Sequence, residues 1–301
     1  MQAQSWLQTR GAGAIVIIPE GFERRILNGA QGIVSIYGNG AYLLRSSTAL
    51  AGVGSALAAI GGEAAVDQAM AQGAPANPAL SLVQRPLFNT REGYGSTVFP
   101  GVGFLIIYQT LLMGLAMLAG TMRDGGGRLH FSAHSLVGVA LAFFVIGWAD
   151  IAYYAGFVFW FQDYPRAAAS PATLLAAGSL FVGATVAAAL ALASFFRTRE
   201  RPLQLLMGTS LVIFFLAGLS WPAEETPTWL VMLARLLPTT PGIHLMVGVN
   251  QMGASLIDQW VEVINLAMLV ILYGIVAWWR LTGLDVRRQR IFSAPVPSGS
   301  Q

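Results

Sequence analysis

The stretch GLSWPAEETPTWLVMLARLLPTTPGIHLMVGVNQMG, residues 218–253, decides the fold, because it lies between two apolar segments yet cannot form one membrane-spanning helix. It contains four prolines, Pro222, Pro227, Pro238 and Pro241. Proline lacks a backbone N–H and is disfavoured inside helices, so the stretch must consist of short pieces joined by turns. The piece 229–237 is mostly apolar, which is typical of a short helix in or just under the lipid headgroups. We expect the chain to fold back here.

Composition places the chain among integral membrane proteins. Of its 301 residues, 55% are hydrophobic and 10% are charged, whereas soluble proteins have about 25% charged residues. All seventeen basic residues are arginines that flank apolar segments, which argues against nucleic-acid binding. The absence of cysteine excludes disulfides and thiolate chemistry. The three histidines are scattered and each is expected to be solvated, so we expect this chain to bind neither a metal nor a cofactor.

Five apolar segments predict five transmembrane helices, because each is near the length of about 20 residues that crosses a hydrocarbon core. A re-entrant hairpin over 221–253 is predicted before the last of them. The predicted spans are 99–122, 135–161, 172–196, 203–220 and 260–281. The chain is thus predicted to be a mainly α, polytopic membrane protein, with its transmembrane domain over 99–290.

Residues 1–98 are predicted to form a separate, small α/β and helical domain outside the membrane. The apolar runs 14–18 and 33–38 predict two strands, and residues 20–27 between them predict a short helix.

Residues 41–72 are predicted to form a helix or a helical pair, interrupted at Gly61 and Gly62. The uninterrupted apolar run, 49–60, is shorter than a membrane span, so we expect this segment to be soluble or peripheral. A link rich in proline and asparagine follows and leads to the first span.

The distribution of arginine predicts the orientation. The regions after the first, third and fifth spans contain nine arginines, whereas the alternate loops contain two. Because arginine-rich loops stay in the cytoplasm, the C-terminus is predicted to be cytoplasmic, with a disordered tail over 291–301. Residues 1–98 and the re-entrant hairpin then lie outside the cell. We therefore expect the complete protein to have a sixth helix, upstream of the chain as given, that carries residues 1–98 across the membrane.

Three segments resemble the permease subunits of ABC transporters of the type 2 exporter class. They are IPEGFERRILNG (18–29), LFNTREGYGSTVFPG (87–101) and the segment 218–256, and the resemblance extends in order over nearly the whole chain. It implies six helices per subunit, a large extracytoplasmic domain between the first two, and a homodimer or pseudodimer in the bacterial inner membrane. It also implies a separate cytoplasmic ATPase that binds ATP and Mg²⁺, since this chain has no GxxxxGK[ST] loop.

The first predicted cytoplasmic loop departs from the family pattern. The family usually places a charged coupling helix there, but this chain has GTMRDGGGRLHFSAH, whose consecutive glycines oppose a helix. Coupling to the ATPase would then use a degenerate version of that helix, the segment 196–202, or the upstream part of the protein; alternatively, the loop is only a flexible turn. The candidate coupling residues are Arg123, Arg128, Arg197, Arg199 and Arg201.

Asp150 is a candidate functional residue because it lies well inside a predicted span. A charged residue there costs about 2.5–3.5 kcal/mol on insertion scales, so it should face a partner, a cavity or a dimer seam. Asp150 either lines a substrate pathway or makes a structural hydrogen bond, for example to Tyr153, Tyr154 or a neighbouring helix.

Further candidates for the pathway or the dimer interface are Tyr108 and Gln109 in the first span and Asn265 in the last, although each could also make only an interhelical hydrogen bond. The resemblance places the elbow of the re-entrant hairpin beside the exit of the pathway. The residues that mark this elbow are Trp221, Pro222, Trp229 and Pro238.

Export is the leading functional interpretation. Two permease copies, driven by a cytoplasmic ATPase, would move a hydrophobic or amphipathic molecule such as a drug, a lipid or a polysaccharide outward, and a periplasmic adaptor would be a further partner. One alternative is a non-transporting assembly scaffold. Another is an intramembrane enzyme, which is disfavoured because the chain has no HExxH motif, no GxSxG motif and no paired carboxylates at a common depth.

Overall fold

The computed structural model describes residue 6 and the ranges 12–28, 30–72, 80–88, 94–124, 131–164, 166, 169–219 and 226–282. The elements up to residue 88 form a small sheet domain, and those from residue 94 onward form a helical bundle. The predictions for Arg128, Trp221, Pro222 and the tail 291–301 concern positions outside the described residues.

The sheet domain contains three strands and two helices among its described residues. In chain order they are β1 (Ala14–Ile17), α1 (Phe22–Leu27), β2 (Gly32–Asn39), α2 (Leu43–Gln72) and β3 (Leu80–Leu87). The sheet order is β1-β2-β3; β1 is antiparallel to β2, and β3 is parallel to β2 with Val34 opposite Leu82. The predicted strand–helix–strand unit is confirmed.

The sequence does not predict β3, because the apolar residues at its start lie within a segment rich in proline and asparagine. Pro86 is tolerated there since β3 is an edge strand, where a missing backbone N–H breaks no pairing on the open side. Parallel pairing of β2 with β3 requires a long crossover connection, and α2 supplies it.

The helix α2 is continuous over 30 residues, so the break expected at Gly61 and Gly62 does not occur. Its segment Ser46–Asp67 is long and apolar enough to cross a membrane. The sequence interpretation underestimated this length mainly because it expected the helix to break at Gly61 and Gly62, whereas the apolar segment continues to Asp67. One face of α2 packs against the three-stranded sheet: a Cβ atom at Gly54 would lie 3.7 Å from Leu82 Cδ2 in β3.

The bundle contains seven helices among the described residues, and α4 includes a π-helical segment, Ala152–Val158. The helices are α3 (Tyr94–Asp124), α4 (Ala133–Phe161), α5 (Pro171–Ala193), α6 (Glu200–Leu216), α7 (Thr228–Ala234), α8 (Thr239–Met252) and α9 (Trp260–Thr282). Side-chain caps fix two of the helix starts, since Ser132 accepts from the Ser135 N–H and Ser170 accepts from the Thr173 N–H.

Five helices in the described residues have the length and hydropathy of membrane spans, as predicted, but they are not the same five. They are α2, α3, α4, α5 and α9. The predicted span 203–220 is wrong in its bounds, because α6 has only 17 residues. At 1.5 Å per residue it extends about 26 Å, slightly less than a hydrocarbon core of about 30 Å. The helices α7 and α8 together form an apolar pair bent by 80°, which confirms a re-entrant or broken element before the last span.

The helix α5 is the centre of the bundle and contacts α3, α4, α8 and α9. Its alanines and glycines let these neighbours approach closely; a Cβ atom at Gly178 would lie 2.8 Å from the Trp148 ring. By contrast, the outward faces of α4, α6 and α9 expose large apolar side chains, such as Val145, Leu211 and Ile271. Such an exterior is suited to lipid and not to water.

Candidate functional site

The turn between α7 and α8 lies about halfway along the bundle. The Tyr273 hydroxyl donates a hydrogen bond of 2.7 Å to the Leu236 carbonyl, and Tyr108 lies beside Thr239 at the start of α8. Both α3 and α9 begin at the end of the bundle next to the sheet domain. Tyr108 and Tyr273 are each about 20 Å along their helices at 1.5 Å per residue. The turn therefore enters the bundle and does not simply lie across its end.

Side-chain hydroxyls satisfy the backbone carbonyls that this broken segment leaves free. Leu236 lies in the turn after α7, and its carbonyl accepts from Tyr273. The Leu216 carbonyl, at the end of α6, accepts from the Thr240 hydroxyl at 3.2 Å. Irregular backbone at membrane depth is stable only where such polar groups find partners inside the protein. Tyr273 and Thr240 thus allow the chain to turn here.

The two arms of the turn differ sharply in burial. All 14 residues of α8 are buried, whereas in α7 Trp229 is 68% exposed. Glycines permit the close packing of α8, because a Cβ atom at Gly242 would lie 2.2 Å from the Phe181 ring. The sequence leaves open whether the hairpin enters the bundle or lies on its surface. The structure shows that α8 is internal and that α7 is exposed on the outside.

A buried histidine and a buried glutamate meet between α8 and α9. His244 Nδ1 lies 3.8 Å from Glu262 Oε1, and the two residues are only 8% and 3% exposed. The Tyr42 ring, from the sheet domain, meets the His244 ring edge-on with centroids 6.3 Å apart. The expectation that His244 is solvated is therefore wrong. Sequence reasoning also missed Glu262, although an acid in the first turn of an apolar helix is a visible signal.

Next to this pair lies a buried amide. Gln251 is 2% exposed, and neither its Oε1 nor its Nε2 has a hydrogen-bond partner among the described residues. The Gln259 side chain packs on Gly248, where a Cβ atom would lie 2.7 Å from Gln259 Nε2. His244, Gly248 and Gln251 share one face of α8, since they are four and three residues apart. The interface between α8 and the start of α9 is therefore polar, although it lies inside an apolar bundle.

The sheet domain is connected to this end of the bundle through the end of β2. The Thr97 hydroxyl of α3 donates to the Gly40 carbonyl at 3.2 Å, and Asn39 Nδ2 lies 3.9 Å from Met252 Sδ at the end of α8. Because α8 contacts the sheet domain at one end and the mid-depth turn at the other, it links the two structurally.

Arginines dominate the opposite end of the bundle. Arg123, near the end of α3, donates to the carbonyls of Ser194 and Phe196. Arg280, near the end of α9, donates to Ser194 Oγ at 2.8 Å and lies over the Phe195 ring. Positive groups at a helix C-terminus satisfy free carbonyls and interact favourably with the helix dipole. The two arginines thus hold together the ends of three helices, α3, α5 and α9.

A different set of arginines at this end faces outward. Arg197 and Arg199 are exposed in the connection from α5 to α6, and Arg201 is exposed in the first turn of α6. This connection lies tightly on α3, because a Cβ atom at Gly120 would lie 2.7 Å from the Thr198 carbonyl oxygen. The arginines at this end therefore differ: Arg123 and Arg280 stabilise the helix ends, whereas Arg197, Arg199 and Arg201 lie at the surface.

A comparison with protein families agrees with this architecture. The family model described as ABC-2 family transporter protein matches residues 2–279. The chain belongs to the ABC-2 transporter family. No curated protein and no solved structure matches it. Membership makes the chain a permease of an ABC transporter, a multi-pass membrane protein that serves as a transport subunit and not as an enzyme. In general, such a permease works with an ABC ATPase.

In this ABC-2 permease, Asp150 is half-buried on α4, directly before the π-helical segment. Its Oδ2 is shielded from solvent and has no hydrogen-bond partner among the described residues. The Tyr154 hydroxyl, which could have served as its partner, donates instead to the Phe99 carbonyl at 2.7 Å, and Tyr153 is 63% exposed. π-helical segments occur frequently at functional sites. Asp150 remains a candidate for the pathway or for the dimer seam.

The other candidates of the permease are dispersed over separate helices. Tyr108 is 2% exposed and lies beside the re-entrant turn. Gln109 and Ser210 hydrogen-bond across α3 and α6, with Nε2 to Oγ at 3.0 Å. Asn265 is half-buried on α9. Of the elbow residues that the structure describes, Trp229 is exposed and Pro238 is the buried residue before α8. Tyr108 and Pro238 thus belong to one region, and Gln109 has an interhelical partner.

Among the described residues, no group of three or more His, Asp or Glu side chains is arranged to hold a metal ion. The buried pair His244–Glu262 lies between α8 and α9 and connects the re-entrant helix to the last span.

Proposed function

We propose that this ABC-2 permease is the membrane subunit of an exporter that moves a hydrophobic or amphipathic substrate outward across the bacterial inner membrane. The substrate would be of the drug, lipid or polysaccharide class. The observation that carries the proposal is the difference between the two ends of the bundle. One end has three exposed arginines, Arg197, Arg199 and Arg201, and the other has the sheet domain and a re-entrant turn.

The orientation follows from that difference. Exposed arginines favour the cytoplasmic side of a membrane protein. With Arg197 and Arg199 inside the cell, the end of α9 is cytoplasmic, and the sheet domain and the turn between α7 and α8 face outward. A substrate that leaves at this end would then pass the sheet domain, where a periplasmic adaptor could receive it.

The sheet domain is proposed to lie outside the hydrocarbon core, although Ser46–Asp67 alone could span it. The reason is the packing of α2. It lies on a sheet whose outer strands, β1 and β3, are each paired on one side only among the residues that the structure describes. Open sheet edges are not stable in lipid, because their backbone groups have no partner there. The apolar helix α2 would therefore lie at the membrane surface together with its sheet.

The exposed arginines are the proposed docking site of the ATPase, which would bind ATP and Mg²⁺. Motion at this site would be transmitted to α3 and α9. Arg123 of α3 binds the Ser194 and Phe196 carbonyls in the connection from α5 to α6, and Arg280 of α9 binds the Ser194 hydroxyl there. Gly120 adds a backbone contact between α3 and this connection. Movement of the connection would therefore displace the ends of α3 and α9 together.

A second permease copy is part of the proposal, because a pathway between two subunits needs polar groups on an outer face. Asp150 is suited to this role, since its Oδ2 has no hydrogen-bond partner in the part of the chain that the structure describes. Asn265 is a further candidate on α9. By contrast, Tyr108 lies inside the subunit and would act by supporting the turn.

The test is to reverse charge at the exposed arginines and to measure both ATPase binding and export. The permease is co-expressed with its cognate ABC ATPase, and uptake of a fluorescent phospholipid is followed in inside-out vesicles with ATP. The triple variant Arg197→Glu, Arg199→Glu, Arg201→Glu should weaken ATPase binding roughly tenfold or more. Its melting temperature should stay the same, because these side chains are exposed.

The matched control is Arg166→Glu, which reverses an exposed arginine after α4. Arg166 lies at the opposite end of the bundle, since the nearby Tyr164 ring packs on Phe99 near the start of α3. ATPase binding should be unchanged in that variant. If Arg166→Glu weakens binding as much as the triple variant does, the docking site is wrong. If wild-type vesicles show no ATP-dependent uptake of phospholipid, of a lipophilic dye or of an oligosaccharide, the export proposal itself fails.

A further inference from the structure

The sheet domain contains an open apolar groove of about 340 Å³ between α2 and β3. Its walls include Gly54, Leu57, Ala58 and Gly61 from α2 and Leu80 and Leu82 from β3. Ligand sites in proteins typically have volumes of about 300–1,000 Å³. The groove is thus large enough for a small ligand or for part of a larger one.

Small residues on α2 create this groove. Gly54, Ala58 and Gly61 are four and three residues apart, so they lie on one face of the helix. That face approaches β3: a Cβ atom at Gly61 would lie 3.3 Å from Leu80 Cβ, and one at Gly54 would lie 3.7 Å from Leu82 Cδ2. Larger side chains at positions 54 and 58 would fill the space between helix and strand.

The chemistry of the walls specifies the ligand. None of the groove residues that the structure describes has a charged or polar side chain. A polar ligand would lose its hydrogen bonds to water there without replacement, which is unfavourable. A hydrocarbon chain makes no hydrogen bonds to water and therefore loses none on entering the groove. Its contacts with Leu57, Leu80 and Leu82 would add dispersion energy that an empty groove lacks.

The surroundings of the groove specify the source of that hydrocarbon. From Ser46 to Gly62, α2 carries no charged residue, and the segment Ser46–Asp67 is as apolar as a membrane span. An exposed apolar surface of this kind marks a site of contact with a membrane or a partner. Because the groove lies along this same helix, the nearest hydrocarbon is the acyl chain of a membrane phospholipid.

We propose that the groove between α2 and β3 binds one acyl chain of a membrane phospholipid. The bound chain covers Leu80 and Leu82 and holds the sheet domain at the membrane surface. This inference rests on the proposed placement of the sheet domain at the membrane surface, but not on the direction of transport or on the ATPase, so the labelling test and the export test can fail separately.

The experiment uses the full chain in lipid nanodiscs that contain a phospholipid with a photoreactive diazirine in its acyl chain. After irradiation, the labelled peptides are identified by mass spectrometry. In the wild-type protein, label is expected on the peptide that contains Leu80 and Leu82. Two variants fill the groove, Gly54→Leu and Ala58→Leu, and each should reduce that label roughly tenfold.

The matched control is Gly52→Leu, because a Cβ atom at Gly52 meets nothing within 4 Å and the residue is on the exposed side of α2. It should leave the label on β3 unchanged. Absence of label on β3 in the wild-type protein overturns the proposal, and so does an equal loss of label in Gly52→Leu. A large fall in the melting temperature of both filled variants would show that the groove has no room for their side chains, and would also overturn it.

Discussion

At the scale of single residues, the contact between Gly103 and Tyr154 gives a sharp prediction. A Cβ atom at Gly103 would lie 1.6 Å from the Tyr154 ring, so Gly103→Ala must displace that ring. Tyr154 also packs on Phe104 and Phe159 and donates to the Phe99 carbonyl. We expect Gly103→Ala to destabilise the protein by about 1–3 kcal/mol, as overpacking in a core does. A lower melting temperature in detergent would show it.

Two comparisons isolate the cause. Gly138→Ala should be nearly neutral, because a Cβ atom there meets nothing within 4 Å. In a Tyr154→Ala background, Gly103→Ala should lower the free energy of unfolding only slightly further, since residues in contact have non-additive effects. If the destabilisations of the two substitutions add, the close contact at Gly103 is not with the Tyr154 ring.

The sequence predicts these close approaches only in part. Glycine in an apolar helix signals close packing, but it does not identify the partner. The side chains that fill such sites come from distant positions: Tyr154 meets Gly103, and Phe181 meets Gly242. For the same reason the pair His244–Glu262 was missed, because its members lie on different helices and neither has a sequence motif around it.

At the scale of elements, the re-entrant turn depends on one hydroxyl. Tyr273→Phe keeps the ring but leaves the Leu236 carbonyl without its donor. Leu236 lies at the exterior of the bundle, where lipid offers no replacement donor, so the loss of this hydrogen bond is unfavourable. We therefore expect faster hydrogen exchange in α7 and α8 and a lower melting temperature. Tyr153→Phe should change neither measurement, because Tyr153 is 63% exposed. If both variants behave alike, the Tyr273 hydroxyl does not stabilise the turn.

The prolines of 218–253 predict the existence of this turn but not its depth. Proline specifies where a helix ends, and Pro238 does mark the boundary between α7 and α8. Depth depends on partners in other helices, here Tyr108 and Tyr273, which local sequence does not reveal. The failure to predict β3 has a similar origin. β3 pairs with β2, and the two strands are separated in the sequence by the long helix α2.

At the scale of the whole molecule, apolar composition alone does not settle the placement of two helices. α2 has the hydropathy of a span yet packs on a sheet, and α6, with 17 residues, is slightly shorter than the roughly 20 residues that cross a hydrocarbon core. Tertiary context decides between these alternatives: an open sheet beside α2 is incompatible with lipid, and α6 is continued by the re-entrant segment. The difference between the arginine end and the sheet end is, by contrast, readable from the sequence.

The absence of cysteine makes the proposed topology directly testable, because each introduced cysteine is a unique probe. In intact spheroplasts, a membrane-impermeant maleimide should label Ser55→Cys and Glu63→Cys on α2, since the sheet domain is proposed to lie outside. Arg199→Cys should react only in inside-out vesicles. Met268→Cys is the matched control: Met268 is 64% exposed on α9, but lipid excludes the reagent, so it should react in neither preparation. If Ser55→Cys behaves like Met268→Cys, then α2 spans the membrane and the proposed outer domain is wrong.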